Sequence, residues 1–200
     1  VGGRIFGQGW VAPPLDGQSL AHWSVDDLAG YLRTGVAPQA GAFGPMAEVV
    51  GASLQYLTPD DARAIAEYIL SLPPLPQRPA PPAPRARDGI GPASTALYQK
   101  HCADCHGRDG RGRERVFPPL DGNPQVVAND PVNLIRVTLF GAAAPTTAGN
   151  PAPHSMPPFA DRVSEEELLT LINHVRGSWS NDAGAIRLHQ LRAARALPLE

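Results

Sequence analysis

Apolar positions along the chain fall into short helical stretches separated by long loops. The clearest stretch is SEEELLTLINHVRGSW (164–179), where Leu168, Leu171, Ile172 and Val175 recur at helical spacing and form one stripe. Ser164 followed by Glu167 makes a capping box, and Gly177 is placed to stop the helix. ASTALYQKH (93–101) predicts a shorter helix with Ser94 or Thr95 as its N-cap. DPVNLIRVTLFG (130–141) predicts a third, ending at Gly141. The expected class is all-α. Three short helices joined by long loops make a thin apolar core by themselves, and fit better around a large apolar group.

The first half of the chain carries the same pattern again. PPLDG occurs at 13–17 and at 118–122, an offset of 105. YLRTG ends at Gly35 and VTLFG at Gly141, and TPDDARAIAEYIL starts at Thr58 where SEEELLTLINHVR starts at Ser164; both offsets are 106. Met46 in AFGPMAEVV answers to Met156 in PHSMPPFA at an offset of 110. Four features in one order at nearly constant offset predict an internal repeat. Between the copies, LPPLPQRPAPPAPRARDGIGP (72–92) holds seven prolines in 73–84, the composition of a semi-rigid, extended linker. The expected division is a first copy over 1–72, a Pro-rich linker over 73–92, a complete copy over 93–183 and a tail over 184–200.

Composition adds the 23 prolines and 20 glycines, which argue for ordered loops. The formal net charge of −2 excludes nucleic-acid binding by global charge. No apolar run approaches the roughly 20 residues of a membrane span, and no charged-plus-apolar export segment opens the sequence. The basic residues are 16 arginines and Lys100.

Both cysteines lie in YQKHCADCHGRDGRG (98–112), where Cys102, Cys105 and His106 read C-x-x-C-H, the attachment pattern of haem c. Each thiol would add to one haem vinyl group, and the spacing puts the sulfurs about one helical turn apart. The next residue, His106, then becomes the proximal iron ligand. A disulfide, a redox-active dithiol and a structural zinc site compete with this reading. The other histidines, His22, His101, His154, His174 and His189, are scattered and complete no zinc set. Met156 is the one methionine after Cys105, and Pro153, Pro157 and Pro158 restrict its loop. That setting favours Met156 as the distal ligand over a core filler, with His154 as its rival. In the first copy the matching C-x-x-C-H would fall at or just before Val1. The first half is therefore expected to be a cut domain that keeps Met46, the distal ligand of a haem whose attachment motif is absent; a degenerate domain is the alternative.

Taken together, WSVDDLAGYLRTG (23–35), AFGPMAEVVGASLQYLTPDDARAIAEYILSLP (42–73), LYQKHCADCHGRDGRG (97–112), PPLDGN (118–123) and MPPF (156–159) resemble the multihaem cytochrome c subunit of membrane-bound bacterial dehydrogenases for alcohols, gluconate and related polyols. The likeness covers roughly residues 3–183. It implies class I cytochrome c-like domains, one complete and one N-terminally truncated, and one haem c on this chain. It also implies a periplasmic location at the inner membrane, with membrane association peripheral. Electrons would pass from a flavin- or quinone-dependent dehydrogenase subunit towards quinone or a downstream cytochrome or oxidase. By analogy with such domains, the Pro118 carbonyl would orient the His106 ring, and Pro13 would match it in the first copy.

A haem c enzyme such as a peroxidase, or a cytochrome subunit of another respiratory complex, is the alternative function; a sensor would need a signalling domain that is not visible. Arg108, Arg111, Arg113 and Arg115 read first as a solvated loop and second as partners for haem propionates or an acidic protein face. The tail, with Arg187, Arg192 and Arg195 among apolar residues, is expected to fray or pack locally rather than lie on a membrane.

Overall fold

The computed structural model describes residues 2–17, 19–75 and 83–198. Helices dominate, as the periodicity predicts. Among the described residues, three hairpins of two-residue strands interrupt them: β1 (Gly3–Arg4) with β2 (Val11–Ala12), β3 (Val36–Ala37) with β4 (Ala40–Gly41), and β5 (Ala142–Ala143) with β6 (Ser155–Met156). Strands this short leave no period-2 pattern for a sequence to show.

In the first half, α1 (Val25–Thr34) is capped by Ser24, whose hydroxyl accepts from the Asp27 amide, and ends on Gly35 in the left-handed region. After α2 (Pro45–Ala52), α3 (Pro59–Ser71) starts with Thr58 accepting from the Asp61 amide at 3.1 Å. Helix α1 packs on α3 through Leu28 and Leu32 against the small residues Ala62 and Ala66. The opposite face of α3 is open: Ile65 is 37% and Tyr68 66% exposed.

The apolar core belongs to the second half. Helix α4 (Pro92–His101) leads into the single turn α5 (Ala103–His106), followed by α6 (Pro124–Val127), α7 (Val132–Phe140), α8 (Glu165–Gly177) and α9 (Leu188–Ala196). Val132, Ile135 and Leu139 of α7 pack with Leu168 and Ile172 of α8, Phe159, and Leu191 and Ala194 of α9. A second cluster joins Tyr98 of α4 and Val126 of α6 to Leu171 and Val175 of α8. The repeat offset places Ile65 and Tyr68 where Leu171 and His174 stand. In the second half that face is covered by α4, with His174 stacked on Tyr98 at 5.2 Å. Among the described residues, no helix matches α4 in the first half.

The capping box of α8 forms as predicted, Glu167 donating its amide to Ser164 Oγ and accepting from the Ser164 amide at 2.9 Å. The expected cap of α4 needs correction. Gly91 is the N-cap, and Ser94 sits in the first turn with its Oγ accepting the Gly91 amide at 3.0 Å. Proline at the first helical position of α4 suits a start one turn earlier than Ser94 suggests.

The expected linker is corrected as well. Residues 76–82 lie outside the described residues, but 83–92 are part of the second half. Ala86 is buried and donates to the Ala183 carbonyl at 2.9 Å, and Pro84 accepts from Ala185 at 2.7 Å. Arg85 and Arg87 pair with Asp182. The tail packs locally, α9 burying Leu191 and Ala194. The halves also touch. Asn133 on α7 accepts from the Val11 amide at 2.9 Å and donates to its carbonyl at 2.7 Å, acting as a side-chain strand partner for β2. Arg136, fully buried, lies over the Trp10 ring at 4.8 Å and donates to the Ala194, Leu197 and Pro198 carbonyls.

Candidate functional site

Helix α4 delivers the cysteines. The Cys102 carbonyl accepts from the amides of Cys105 (3.3 Å) and His106 (3.0 Å), so one tight turn winds all three residues around a common axis. Both thiols are free, Cys102 half-buried and Cys105 exposed, and no disulfide joins them. Burial pushes the Cys102 thiol up to about 11, with the neighbouring Cys105 adding to the shift. A reactive redox pair needs the opposite, a depressed thiol. Among the described residues, no group of three or more His, Cys, Asp or Glu is arranged to hold a metal ion.

His106 is buried, and its Nδ1 stands 3.0 Å from the Pro118 carbonyl. A carbonyl can only accept, so Nδ1 carries the proton and Nε2 keeps its lone pair for a metal. Burial lowers the His106 pKa, opposed by the Pro118 contact. The ring is thus held neutral, in the tautomer an iron ligand requires.

The loop that carries Pro118 is fixed from several sides. Gly112, with φ of 65°, donates to the His106 carbonyl at 2.8 Å. A Cβ there would collide with the Phe117 carbonyl and lie 2.8 Å from that of Pro118, so this crossing requires glycine. Leu120 and Asp121 donate to the Gly110 carbonyl at 2.7 and 3.0 Å. Asn181, only 1% exposed, accepts from the Gly122 amide (2.9 Å) and donates to the Leu120 and Val175 carbonyls (3.0 and 2.8 Å). Tyr98 donates to the Gly107 carbonyl at 2.6 Å. Sequence reading picked out Pro118 but missed Gly112 and Asn181. The glycine had a signal, lying within a Gly-rich loop beside the motif; Asn181 had none.

Met156 occupies β6 opposite Ala142 rather than a free loop. It is half-buried against the Val132, Ile135, Leu139 and Phe159 cluster. Leu134 and Val163 pack on both this cluster and the one that includes Cys102, so the two apolar groups adjoin. Gly141 (φ 78°) allows the hairpin: a Cβ there would sit 2.5 Å from the Met156 carbonyl oxygen. His154 is exposed with its ring 5.0 Å from Phe117. Met46 is half-buried in the first turn of α2, five residues beyond Gly41, whose pairing with Val36 is the strand equivalent of Met156 with Ala142.

The four arginines are exposed. Arg111 pairs with Asp109 (3.9 Å), Arg115 with Asp27 (3.7 Å) and Glu114 (3.8 Å), and Arg113 lies over the Phe117 ring at 5.0 Å.

Two free thiols one turn apart, a neutral imidazole with Nε2 available and an apolar cluster on which Cys102, Leu97, Leu120 and Val127 all pack fit a covalently attached haem. Comparison with known proteins agrees. Residues 93–179 match the cytochrome c family model. Over 87% of its length the chain is 38% identical to the cytochrome c subunit of the quinone-dependent alcohol dehydrogenase of Gluconobacter oxydans, covering 38% of that protein. It is 34% identical over 88% of its length to the gluconate 2-dehydrogenase cytochrome c subunit of Pantoea cypripedii, covering 43% of it. To the fructose dehydrogenase cytochrome subunit of Gluconobacter japonicus it is 28% identical over 94%, covering 44%. The chain thus spans less than half the length of these relatives.

Proposed function

We propose that this chain, whose residues 93–179 match the cytochrome c family model, carries single electrons out of a dehydrogenase complex. Haem c, when bound, supplies a one-electron iron couple. Cys102 and Cys105 would anchor it, and His106 through Nε2 and Met156 through its thioether would hold the iron. The Pro118 carbonyl fixes the imidazole, a positioning role that keeps Nε2 aimed through each change of oxidation state. With His106 and Met156 both committed to the iron, this chain would leave no place there for a small molecule, so it would carry electrons and leave substrate chemistry to a partner. A thioether ligand raises the potential, which suits a late carrier.

The relatives are named as cytochrome subunits of alcohol, gluconate and fructose dehydrogenases, which supports a dehydrogenase partner; a flavin- or quinone-dependent subunit as donor and quinone or a downstream cytochrome as acceptor belong to the same proposal. A periplasmic location goes with this reading, since haem c attachment would occur there. No described helix is long and apolar enough to cross a membrane. Residues 1–72 form a second unit of the same kind, with Met46 as its distal ligand. The repeat and the open Ile65–Tyr68 face of α3, where a helix like α4 belongs, support this reading.

The observation that carries the assignment is the His106 Nδ1 to Pro118 contact beside two free thiols. Expression in a host competent for haem c attachment tests it. The intact mass should rise by one haem, and Met156→Ala should abolish the methionine–iron charge-transfer band while the haem stays attached. A chain that emerges without haem, or a band that survives Met156→Ala, refutes the assignment.

A further inference from the structure

The connection that leads to Met156 is much longer than its counterpart. In the first half β3 and β4 are joined by Pro38 and Gln39 alone, whereas β5 and β6 are joined by residues 144–154. The extra length does not hang in solvent. It closes on itself through Thr147 and Asn150, which exchange backbone hydrogen bonds at 3.2 and 3.1 Å. Asn150 Nδ2 also reaches the Pro145 carbonyl at 3.5 Å. Pro145 and Thr147 are both buried.

What buries them is the first half. Pro145 fills the space left by Gly35, where a Cβ would come within 2.5 Å of its ring, and its Cβ lies 3.5 Å from the position a side chain would take at Gly51. Thr147 Oγ1 donates to the Thr34 carbonyl at 3.3 Å. At Gly149 an added Cβ would collide with the Thr34 Cγ2 methyl. The loop is thus fitted to the C-terminus of α1, at Thr34 and Gly35, with no room for one more carbon.

The first half also holds the other end of the same segment. Asn133, at the start of α7, is bound on both its amide atoms by Val11 of β2, and Arg4 pairs with Asp130 at 3.0 Å. The run from α7 through β5 and the loop to β6 is therefore gripped at its beginning by residues 4–11 and near its end by residues 34–51. Met156 is the second residue of β6, six residues past Asn150.

We propose that the first half is a clamp that positions Met156, so that the hold of this chain's methionine on the haem iron depends on the contact of the 144–154 loop with Thr34 and Gly35. This rests on Met156 as the distal ligand. In consequence, anything that shifts the first half, such as docking of a partner, is transmitted to the haem as a looser or tighter methionine. Thr34, Gly35, Pro145, Thr147 and Gly149 are positioning residues: none needs to touch the haem.

The test is a graded collision and its relief across the contact, read in the haem-loaded full chain. Gly149→Ala inserts the carbon that meets Thr34 Cγ2. Thr34→Ser removes that methyl and keeps the hydroxyl, which donates to the Gly30 carbonyl at 2.8 Å. The readouts are the rate of imidazole uptake by the ferric protein, which reports methionine release, and the strength of the methionine–iron band. Gly149→Ala should speed uptake by roughly tenfold or more, equivalent to about 1.4 kcal/mol, and Gly149→Ala with Thr34→Ser should return it most of the way to the parent rate. Far-ultraviolet dichroism shows whether each variant is folded; should Gly149→Ala fail to fold, Thr147→Val, which deletes the hydroxyl's bond to the Thr34 carbonyl and the one it accepts from the Asn150 amide, should still raise uptake several-fold. Unchanged uptake in Gly149→Ala and Thr147→Val, or an increase in Gly149→Ala that Thr34→Ser does not relieve, overturns the clamp. A charge-transfer band that survives Met156→Ala instead overturns the ligand assignment beneath it, so the two failures are distinct.

Discussion

Asn181 is where a single side chain is asked to hold the site together. It is 1% exposed and closes three hydrogen bonds, to the Gly122 amide, the Leu120 carbonyl and the Val175 carbonyl. The first two tie down the loop behind Pro118, and the third anchors that loop to α8. Replacing Asn181 with Leu keeps comparable volume and removes all three partners. At about 1 kcal/mol for each neutral bond, with a further penalty for each partner left dry, the loss should be about 2–4 kcal/mol. For a chain of this size that lowers Tm by about 5–15 °C. Equilibrium unfolding in urea measures it, and the midpoint should fall with little change in slope, since the surface exposed on unfolding is the same. Asn181→Ala should cost at least as much, because it adds a cavity. If Asn181→Leu stays within 0.5 kcal/mol of the parent, the loop is held by other contacts and the reasoning is wrong.

Other consequences are equally open to measurement. His174 is buried against Tyr98 and Ser94, and burial lowers its pKa below the ordinary 6.5. The folded state therefore binds its proton less readily than the unfolded one, so its contribution to stability is present above pH 6.5 and is lost as pH falls through and below that value. His174→Phe should flatten that part of the stability–pH curve; an unchanged slope would contradict it. Gly177 lies against the backbone of Ala86 and Arg87, where a Cβ would overlap. Gly177→Ala should thus cost about 1–3 kcal/mol by overpacking, despite alanine's better helix propensity, and a stabilised variant would refute the close approach. Arg192 and Glu165 pair at 2.9 Å on an exposed surface, and Arg192→Ala should leave the thermal midpoint within error.

The motif, the capping box and the stripe of α8 were legible because each is local. C-x-x-C-H fixes its own geometry within one turn, and Ser164 with Glu167 completes its bonds within four residues. Where the sequence suggests a repeat, Gly35 and Gly141 each end a helix at positive φ, 75° and 78°, while their ψ values differ, 9° against −179°. What stayed hidden depends on distant partners. Asn133 reads as a mid-helix polar residue until β2 is laid beside it, Arg136 as a surface arginine until Trp10 and the tail enclose it, and Asn181 as an ordinary loop residue. The proline count suggested a spacer, but Pro84 and Ala86 hydrogen-bond to residues 183–185, a pairing that no composition reveals. Met46 shows the same limit. Its spacing matched Met156, while the local backbone is a helix in one case and a strand in the other.

The most direct test of the account exposes the reduced, haem-loaded protein to carbon monoxide and follows the Soret band. A carrier whose iron is closed by His106 and Met156 should show no change over minutes at saturating gas, and the same sample should not turn over peroxide. Rapid carbon monoxide uptake, or steady peroxide consumption, would mean that the distal place is open and that this chain is an enzyme rather than an electron carrier.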